Sequence, residues 1–161
     1  MVLVRETVAD DWQALRDIRL EALRDAPTAF ASTYERETLH SEAHWRDRIA
    51  RGGTFLAFIP EVSATEPPPQ IGGYPEDPVT AELVSMYVRP RARGRGVGEA
   101  LVAAVIDWAG QRNAAAVRLW VTETNAPALA LYERCGFALT GERQPVPSNP
   151  GLDEVAMTRP L

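Results

Sequence analysis

The stretch that decides the fold is a strand-like run followed by a glycine-rich turn. It reads Ala81-Glu82-Leu83-Val84-Ser85-Met86-Tyr87-Val88 and then, four residues on, Arg93-Gly94-Arg95-Gly96-Val97-Gly98. Apolar residues then recur at helical spacing, which predicts a long helix over Gly96–Arg112. The first amide N–H groups of a helix lack internal partners, and the helix dipole adds partial positive charge there. Because glycines let a ligand approach this backbone closely, the turn predicts a phosphate-binding site.

The turn does not fit the common nucleotide-binding motifs. Read from Gly94 or from Gly96, the dinucleotide pattern G-x-G-x-x-G has Glu99 or Leu101 where its third glycine belongs. The chain also lacks lysine, since all 17 of its basic residues are arginine. A Walker A loop, a pyridoxal phosphate enzyme and a protein kinase each need a lysine, so these classes are excluded.

Length and charge indicate an ordinary single domain. The chain has 161 residues, a net charge of −5 and one cysteine, Cys135, so an internal disulfide is excluded. We expect one domain over residues 1–161. The acidic balance argues against nucleic acid as a partner. Because the chain shows neither a membrane-spanning run nor a signal-peptide pattern at Met1–Glu6, we expect a cytoplasmic protein with no membrane partner.

Strands alternate with helices along the chain, which predicts an α/β fold. Two proline-rich connections are expected, at Glu61–Gln70 and Gln144–Leu152, because proline cannot donate to a strand ladder. The predicted strands are Val2–Thr7, Thr54–Ile59, Ile71–Tyr74, Ala81–Val88, Ala115–Thr122, Phe137–Gly141 and Asp153–Thr158.

Three other helices have recognisable start signals. Asp10 followed by Gln13 resembles a capping box at the start of the first helix. Ser41 and Asn125 are expected to be the N-caps of two further helices, the second of which runs to Cys135.

Two motifs resemble those of the GNAT superfamily of acyl-coenzyme A-dependent N-acetyltransferases. Arg93-x-x-Gly96-x-Gly98 fits its (R/Q)-x-x-G-x-(G/A) signature, between a strand and a helix. The segment from Asn125 through Tyr132 to Phe137 is similar to its N-x-x-A-x-x-x-Y-x-x-x-G-F motif. The resemblance implies the α/β GNAT fold. Its central sheet is mixed and mostly antiparallel, with about six to seven strands splayed in the middle and about four flanking helices.

The resemblance also implies that acetyl-coenzyme A is the co-substrate. Its pantetheine arm is expected between Ala81–Val88 and Ala115–Thr122, bonded to the main chain of Met86, Tyr87 and Val88. Its pyrophosphate is expected on Arg93, Gly94, Arg95, Gly96, Val97 and Gly98. Asn125 and Tyr132 lie seven residues apart, two helical turns, so they share one helix face. The resemblance implies that this helix face lies against the coenzyme.

Two side chains are candidates for the proton transfers of amine acetylation. An alkylammonium of pKa ~10 must lose a proton before it attacks a thioester, and the leaving thiolate takes one up. Tyr132 matches the family's general-acid tyrosine; alternatively, it is a core aromatic. Glu82 is the candidate base, because burial in an apolar strand raises a carboxyl pKa. The alternatives are a salt-bridged or edge-strand carboxylate, with a water chain as the base. A backbone N–H near Tyr87 or Val88 is the expected oxyanion donor.

The resemblance implies that the acceptor amine lies against Ala26–His40 and Gln144–Leu152. Aromatic residues and carboxylates suit a cationic amine. The candidates in the first region are Phe30, Tyr34, Glu35 and Glu37, with Tyr74 and Tyr87 also within reach. We expect direct attack in a ternary complex by a small-molecule amine or a protein N-terminus. The alternative is a non-catalytic GNAT-like module that binds acyl-coenzyme A as a sensor or structural element. A homodimer is a further hypothesis.

The two histidines have metal-ligand spacing but lack the rest of a metal motif. His40 and His44 stand at i, i+4, yet Ser41 occupies the position of the zincin glutamate and no third ligand is evident. We therefore expect no metal. Cys135 is expected to act as a small buried hydrophobe.

Overall fold

The computed structural model describes residues 1–59 and 66–161. The strands are β1 (Leu3–Glu6), β2 (Thr54–Phe58), β3 (Gln70–Pro75), β4 (Thr80–Tyr87), β5 (Ala116–Thr122), β6 (Ala138–Val146) and β7 (Asn149–Pro160). The α-helices are α1 (Trp12–Asp25), α2 (Tyr34–Glu37), α3 (Glu42–Ala50), α4 (Val97–Gln111) and α5 (Ala126–Arg134). Within the described residues, none of these helices has the length and apolar character needed to cross a bilayer.

The seven strands form one sheet in the order β1-β2-β3-β4-β5-β7-β6. β4 and β5 are parallel, and the other neighbouring pairs are antiparallel. A parallel pair needs a crossover connection, which α4 supplies between β4 and β5. The mixed, mostly antiparallel sheet that the resemblance implied is therefore confirmed.

Helices cover both faces of this sheet. On one face α4 packs its apolar stripe on the strands, and Trp108 lies so close to Gly73 that a Cβ on this glycine would come 2.9 Å from the indole ring. On the other face α1 packs Ile18 against Leu56 of β2. α3 then adds the fully buried Trp45 against α1. The sheet is thus the middle layer of an α/β/α arrangement.

The first helix begins differently from the prediction. No capping box joins Asp10 to Gln13; a 3₁₀ turn precedes α1 instead. The carboxylate of Asp11 accepts a hydrogen bond from the Val8 amide at 2.7 Å and pairs with Arg5 at 2.7 Å. The ion pair with Arg5 on β1 therefore explains why Asp11, and not Asp10, bonds to the backbone at the start of this helix.

The other two predicted caps are confirmed. The hydroxyl of Ser41 accepts a hydrogen bond from the His44 amide at 3.2 Å, and α3 follows. The side-chain oxygen of Asn125 accepts one from the Ala128 amide at 3.2 Å, and α5 follows. These bonds satisfy amide groups that the first helical turn leaves without partners.

The prediction of a proline-rich loop at Gln144–Leu152 is wrong, because this segment forms most of the tip of a β-hairpin. β6 continues to Val146, and β7 begins at Asn149. Pro145 is tolerated because β6 is an edge strand and its register shifts between Pro145 and Val146. The other predicted connection, Glu61–Gln70, lies partly outside the described residues; its described end leads into β3.

Candidate active site

β4 and β5 separate after three residue pairs. Their parallel ladder joins Thr80–Glu82 to Ala116–Arg118. Beyond it β5 stays paired with β7, and β4 stays paired with β3. The predicted splay in the middle of the sheet is therefore confirmed. The narrow gap between the strands is lined by Val84, Ser85, Met86, Trp120, Asn125 and Tyr132.

A β-bulge lies in β4 beside this gap. The register with β3 shifts so that Ser85 and Met86 together face Ile71 alone. Ser85 has φ +59°, in the left-handed region that residues other than glycine seldom adopt. The extra residue of a bulge is left out of the strand ladder. The main-chain groups that face the gap are available for a different reason: the β4–β5 ladder ends at Glu82.

The bulge also decides where Tyr87 points. Side chains alternate along a strand, so one inserted residue moves those beyond it to the opposite face. Tyr87 therefore shares a face with Glu82 and packs against α1 beside Ile18. Its hydroxyl donates a hydrogen bond to Asp25 at 2.7 Å. The side chain of Tyr87 is thus buried and engaged by Asp25. Its reach to the acceptor and the role of its main chain stay predictions.

The turn before α4 contains two left-handed glycines. Gly94 and Gly96 have φ +75° and +76°, and a Cβ on either would meet open space. The Nε of Arg93 donates to the Val88 carbonyl at 2.9 Å, so this side chain ties the turn to the end of β4. Gly96 is the N-cap of α4, and the next amide groups have no partner within the helix. The turn is thus an open cradle of backbone donors, as an anion site requires.

Gly98 lies where α4 meets β4 and α5. A Cβ there would lie 3.0 Å from Cδ2 of Leu131 and 3.3 Å from Cε of Met86. A side chain at this position would force these neighbours apart beside the gap. The small residue at the third fixed position of the motif is therefore needed for packing as well as for access to the backbone.

Tyr132 projects from α5 to the gap. It is 6% exposed, and its ring packs edge-on against Phe137 with the centroids 6.0 Å apart. Burial raises the pKa of the phenol, and no described residue hydrogen-bonds its hydroxyl. The core-aromatic alternative accounts for the buried ring but not for an unpaired hydroxyl at the gap. A phenol that stays protonated at neutral pH can act as a general acid.

Asn125 lines the same gap, so the structure brings it together with Tyr132 as the spacing predicted. Its carboxamide oxygen is already occupied by the cap of α5. The amide NH₂ is the part of this side chain that is left for a ligand.

Glu82 is the last residue of β4 that pairs with β5, and it lies opposite Tyr74 on β3. The Tyr74 hydroxyl donates a hydrogen bond to its carboxylate. Burial raises the pKa of Glu82, and the hydrogen bond from Tyr74 offsets part of the rise. The described structure supports neither the edge-strand nor the salt-bridge alternative for Glu82. β4 is a central strand of the sheet. Arg118, which lies opposite Glu82 on β5, forms its ion pair with Glu142.

Glu82 opens onto a second, wider cavity of about 610 Å³ between the sheet and helices α1 and α3. Phe30 and Tyr74 line this cavity, as predicted, and Gln144 reaches it from β6. Tyr34 does not line this cavity: its ring packs beside α1, and its hydroxyl accepts a hydrogen bond from Arg24 at 2.6 Å. Its prediction as a substrate-binding residue is therefore not supported by its position.

Glu37, a candidate for binding the acceptor amine, is instead the centre of a buried ion cluster that the sequence did not predict. Arg19 binds Glu37 through two nitrogens, at 3.0 and 2.8 Å, and Arg48 approaches the same carboxylate at 3.5 Å. Burial alone would raise the pKa of Glu37, but the hydrogen bonds and charge of Arg19 and the charge of Arg48 outweigh it and lower the pKa. A signal was present, since Arg19 stands at helical spacing between Leu15 and Leu23 on an otherwise apolar stripe.

The histidine pair is not part of this site. His40 and His44 stack with ring centroids 3.6 Å apart beside Trp45. Across residues 1–59 and 66–161, no group of three His, Cys, Asp or Glu side chains is arranged to hold a metal ion.

The comparison with protein families matches the acetyltransferase (GNAT) family over residues 12–137. The chain belongs to the GNAT family. The mycothiol acetyltransferase of Clavibacter sepedonicus is 33% identical to this GNAT chain over 132 residues, which cover 80% of this chain and 39% of that protein. The chain covers between 21% and 41% of the length of eight curated relatives that it matches.

Two solved structures resemble this GNAT chain over its whole length. A GCN5-related N-acetyltransferase from Kribbella flavida is 29% identical, with a TM-score of 0.76, and the match covers 99% of this chain and 98% of that one. The yncA protein of Salmonella typhimurium, solved with its cofactor acetyl-CoA, is 21% identical with a TM-score of 0.76. That match covers 100% of this chain and 94% of the other and shows the shared fold.

Proposed function

We propose that this GNAT chain transfers the acetyl group of acetyl-coenzyme A to a primary amine by direct attack in a ternary complex. The observation that carries the proposal is the position of two proton carriers on β4 and α5. Glu82 opens onto the wide cavity and Tyr132 onto the narrow gap. An amine in the cavity and a thioester in the gap would meet between them.

The coenzyme site is proposed on backbone groups. The cradle at Arg93–Gly98 offers amide donors at the N-terminus of α4, which suits a pyrophosphate. The end of the β4–β5 ladder at Glu82 leaves main-chain groups of Ser85 and Met86 beside the gap, where the amide groups of the pantetheine arm could pair with them. The same main chain, toward Tyr87 and Val88, is our candidate oxyanion donor.

The proposed step balances two protons. A bond forms between the amine nitrogen and the thioester carbonyl carbon, the carbon–sulfur bond breaks, and coenzyme A leaves as a thiolate. Glu82 takes one proton from the ammonium and passes it to solvent, and the free amine attacks. Tyr132 gives a proton to the sulfur as the tetrahedral intermediate collapses, and the nitrogen loses its second proton, which restores the phenol of Tyr132. The products are an N-acetylamine, free coenzyme A and one released proton.

The electrostatics of Glu82 support its role as the base. Burial raises its pKa and brings the carboxylate closer to the working pH, where a general base is most effective. Burial also raises the pKa of Tyr132, so its phenol is protonated at neutral pH but is a weaker acid. The support for Tyr132 is therefore its position at the gap.

The test is acceptor-dependent release of coenzyme A across an amine panel, with mass detection of the acetylated product. The enzyme proposal predicts product with wild type and a lower rate with Tyr132→Phe. The alternative, a non-catalytic acyl-coenzyme A sensor, predicts that acetyl-coenzyme A binds and raises the melting temperature while no amine is consumed. The two outcomes separate the hypotheses without knowledge of the natural acceptor.

A further inference from the structure

The acceptor cavity carries opposite charges on its two sides. Arg19, Arg48 and Arg51 line it from α1 and from the end of α3. Glu82 and Glu154 line it from β4 and β7. A cavity of this kind favours a ligand with separate positive and negative groups.

The positive side has more cations than its own carboxylate can neutralise. Glu37 is the carboxylate within bonding distance of Arg19 and Arg48, and its stronger contacts go to Arg19. Arg48 is left with one ion-pair contact, at 3.5 Å, and its side chain is 31% exposed. Its guanidinium also lies 5.3 Å from the centre of the Trp45 ring, which supplies no negative charge to balance it. Burial and the charge of Arg19 both lower the pKa of Arg48. An anion beside Arg48 would relieve this excess of positive charge.

Gln70 adds an unused donor to the same wall. This side chain is 1% exposed and lines the cavity from β3. Its amide nitrogen has no hydrogen-bond partner among the described residues. Buried donors are rarely left unpaired, because the lost hydrogen bond to water is costly. An acceptor oxygen in the cavity would satisfy it.

The sheet order separates the two charged sides. Arg51 is the C-cap of α3, and Gly52 and Thr54 carry the cavity wall into β2. Glu82 lies on β4, two strands away across β3. Neighbouring strands are ~4.8 Å apart, so the strands that carry the two sides are roughly 10 Å apart.

From this charge arrangement we infer that the acceptor is an amine that also carries a carboxylate or similar oxyanion. Its anion lies toward Arg48 and Arg51, and its amine lies toward Glu82. The inference rests on the proposed function and narrows it. A polyamine would bring cations to the arginines, and a peptide N-terminus would bring a neutral amide, so neither fits as well.

The first experiment compares acids with their amides. Glycine, β-alanine, γ-aminobutyrate, ε-aminocaproate and L-phenylalanine are each assayed beside the corresponding carboxamide. The amide keeps the amine and the size of the acid and removes the charge. In the shortest pairs, replacing the carboxylate with a carboxamide also lowers the pKa of the amine. More of the amide is then present as free amine at neutral pH, so this effect would favour the amide. A preference for the acid must therefore come from its charge. We expect kcat/KM at least about tenfold higher for the best acid than for its amide, since hydrogen bonds to charged groups are worth about that or more.

The second experiment assigns the preference to the arginines. Arg48→Gln should lower kcat/KM for the best acid about tenfold or more and change that for its amide less than about twofold. Arg46→Gln is the matched control. Arg46 lies on the same helix, but its side chain is 42% exposed and bonds to Glu42. This control should leave both values unchanged.

Each outcome decides between two claims. Turnover that prefers the amides, or that treats acids and amides alike, would overturn this inference and leave the proposed acetyltransfer standing. An acid preference that survives unchanged in Arg48→Gln and in Arg51→Gln would also overturn it. Acetyl-coenzyme A binding without turnover of any amine would contradict the proposed function itself.

Discussion

The hydroxyl of Tyr74 donates a hydrogen bond to the carboxylate of Glu82 across the β3–β4 ladder. Tyr74 is 44% exposed, and both Tyr74 and Glu82 line the wide cavity in which we propose that the acceptor binds. Burial of Glu82 favours its neutral form, whereas the bond from Tyr74 favours the carboxylate. The hydrogen bond from Tyr74 therefore lowers the pH at which the carboxyl of Glu82, our proposed base, ionises.

Replacing Tyr74 with phenylalanine should move the pH profile of catalysis. The change removes the hydrogen bond that lowers the pKa of Glu82, so this pKa should rise further. The ascending limb of kcat/KM should then shift to higher pH, which initial rates across a pH series would reveal. Tyr34→Phe is the matched control, since the Tyr34 hydroxyl faces Arg24. Equal pH profiles of kcat/KM for wild type and Tyr74→Phe would show that Tyr74 does not affect the pKa of the catalytic base.

Glu82→Gln should show its effect in both activity and stability. If Glu82 is the base, the loss of turnover should be greatest near neutral pH and should shrink as free amine becomes abundant. The folded state raises the pKa of Glu82, so it favours the protonated form. Wild type should lose stability relative to Glu82→Gln as pH rises through that pKa. Thermal melts of both proteins across pH would measure the difference.

A loss of turnover that is constant from about pH 6 to about pH 9 would contradict the base assignment. Glu82 would then position the substrate or support the strand. A water chain or the bulk solvent would take the proton instead.

Tyr132→Phe should lower turnover while leaving the fold and the binding of acetyl-coenzyme A nearly unchanged. The substitution keeps the ring that packs on Phe137 and removes a hydroxyl without a described partner. General acid catalysis is usually worth ~10²–10⁴, and a thiolate leaves fairly readily, so we expect a loss of about 10- to 1000-fold. Raising the pH supplies no proton and should not restore the rate. An unimpaired variant would indicate that coenzyme A departs as a free thiolate.

The sequence could predict the parts of the site that depend on local signals. Glycines before α4, the cap at Asn125 and the two-turn spacing to Tyr132 are fixed by a few neighbouring residues, and each is found where it was expected. The splay between β4 and β5 came from the family resemblance rather than from a local pattern.

Features that depend on pairing between distant segments could not be read in the same way. The bulge at Ser85 exists because β4 shifts register against β3, and nothing in the strand itself marks it. That shift placed Tyr87 on the face of Glu82, where its hydroxyl bonds to Asp25. The β6–β7 hairpin was obscured by Pro145, which only an edge strand tolerates. The ion pair of Arg19 with Glu37 joins α1 to α2 and needs the tertiary fold.

Gly98→Asp should abolish coenzyme binding. The new side chain would press on Leu131 and Met86 beside the gap and would set a carboxylate against the pyrophosphate. The rise in melting temperature with acetyl-coenzyme A should disappear. Gly110→Asp is the control on the same helix, because a Cβ at Gly110 meets open space. A normal coenzyme-induced shift in Gly98→Asp would contradict the assignment of the pyrophosphate to this turn.

The central claim is acetyl transfer from acetyl-coenzyme A to an amine, and a coupled measurement tests it most directly. Released coenzyme A and N-acetylated product are quantified in the same reaction, with wild type and Tyr132→Phe. The chain has no lysine, so acetyl-lysine signals come from added substrate. The account predicts one product molecule for each coenzyme A released and a lower rate in the variant. Coenzyme A release that is independent of the amine, or no release from a protein that binds acetyl-coenzyme A, would contradict it.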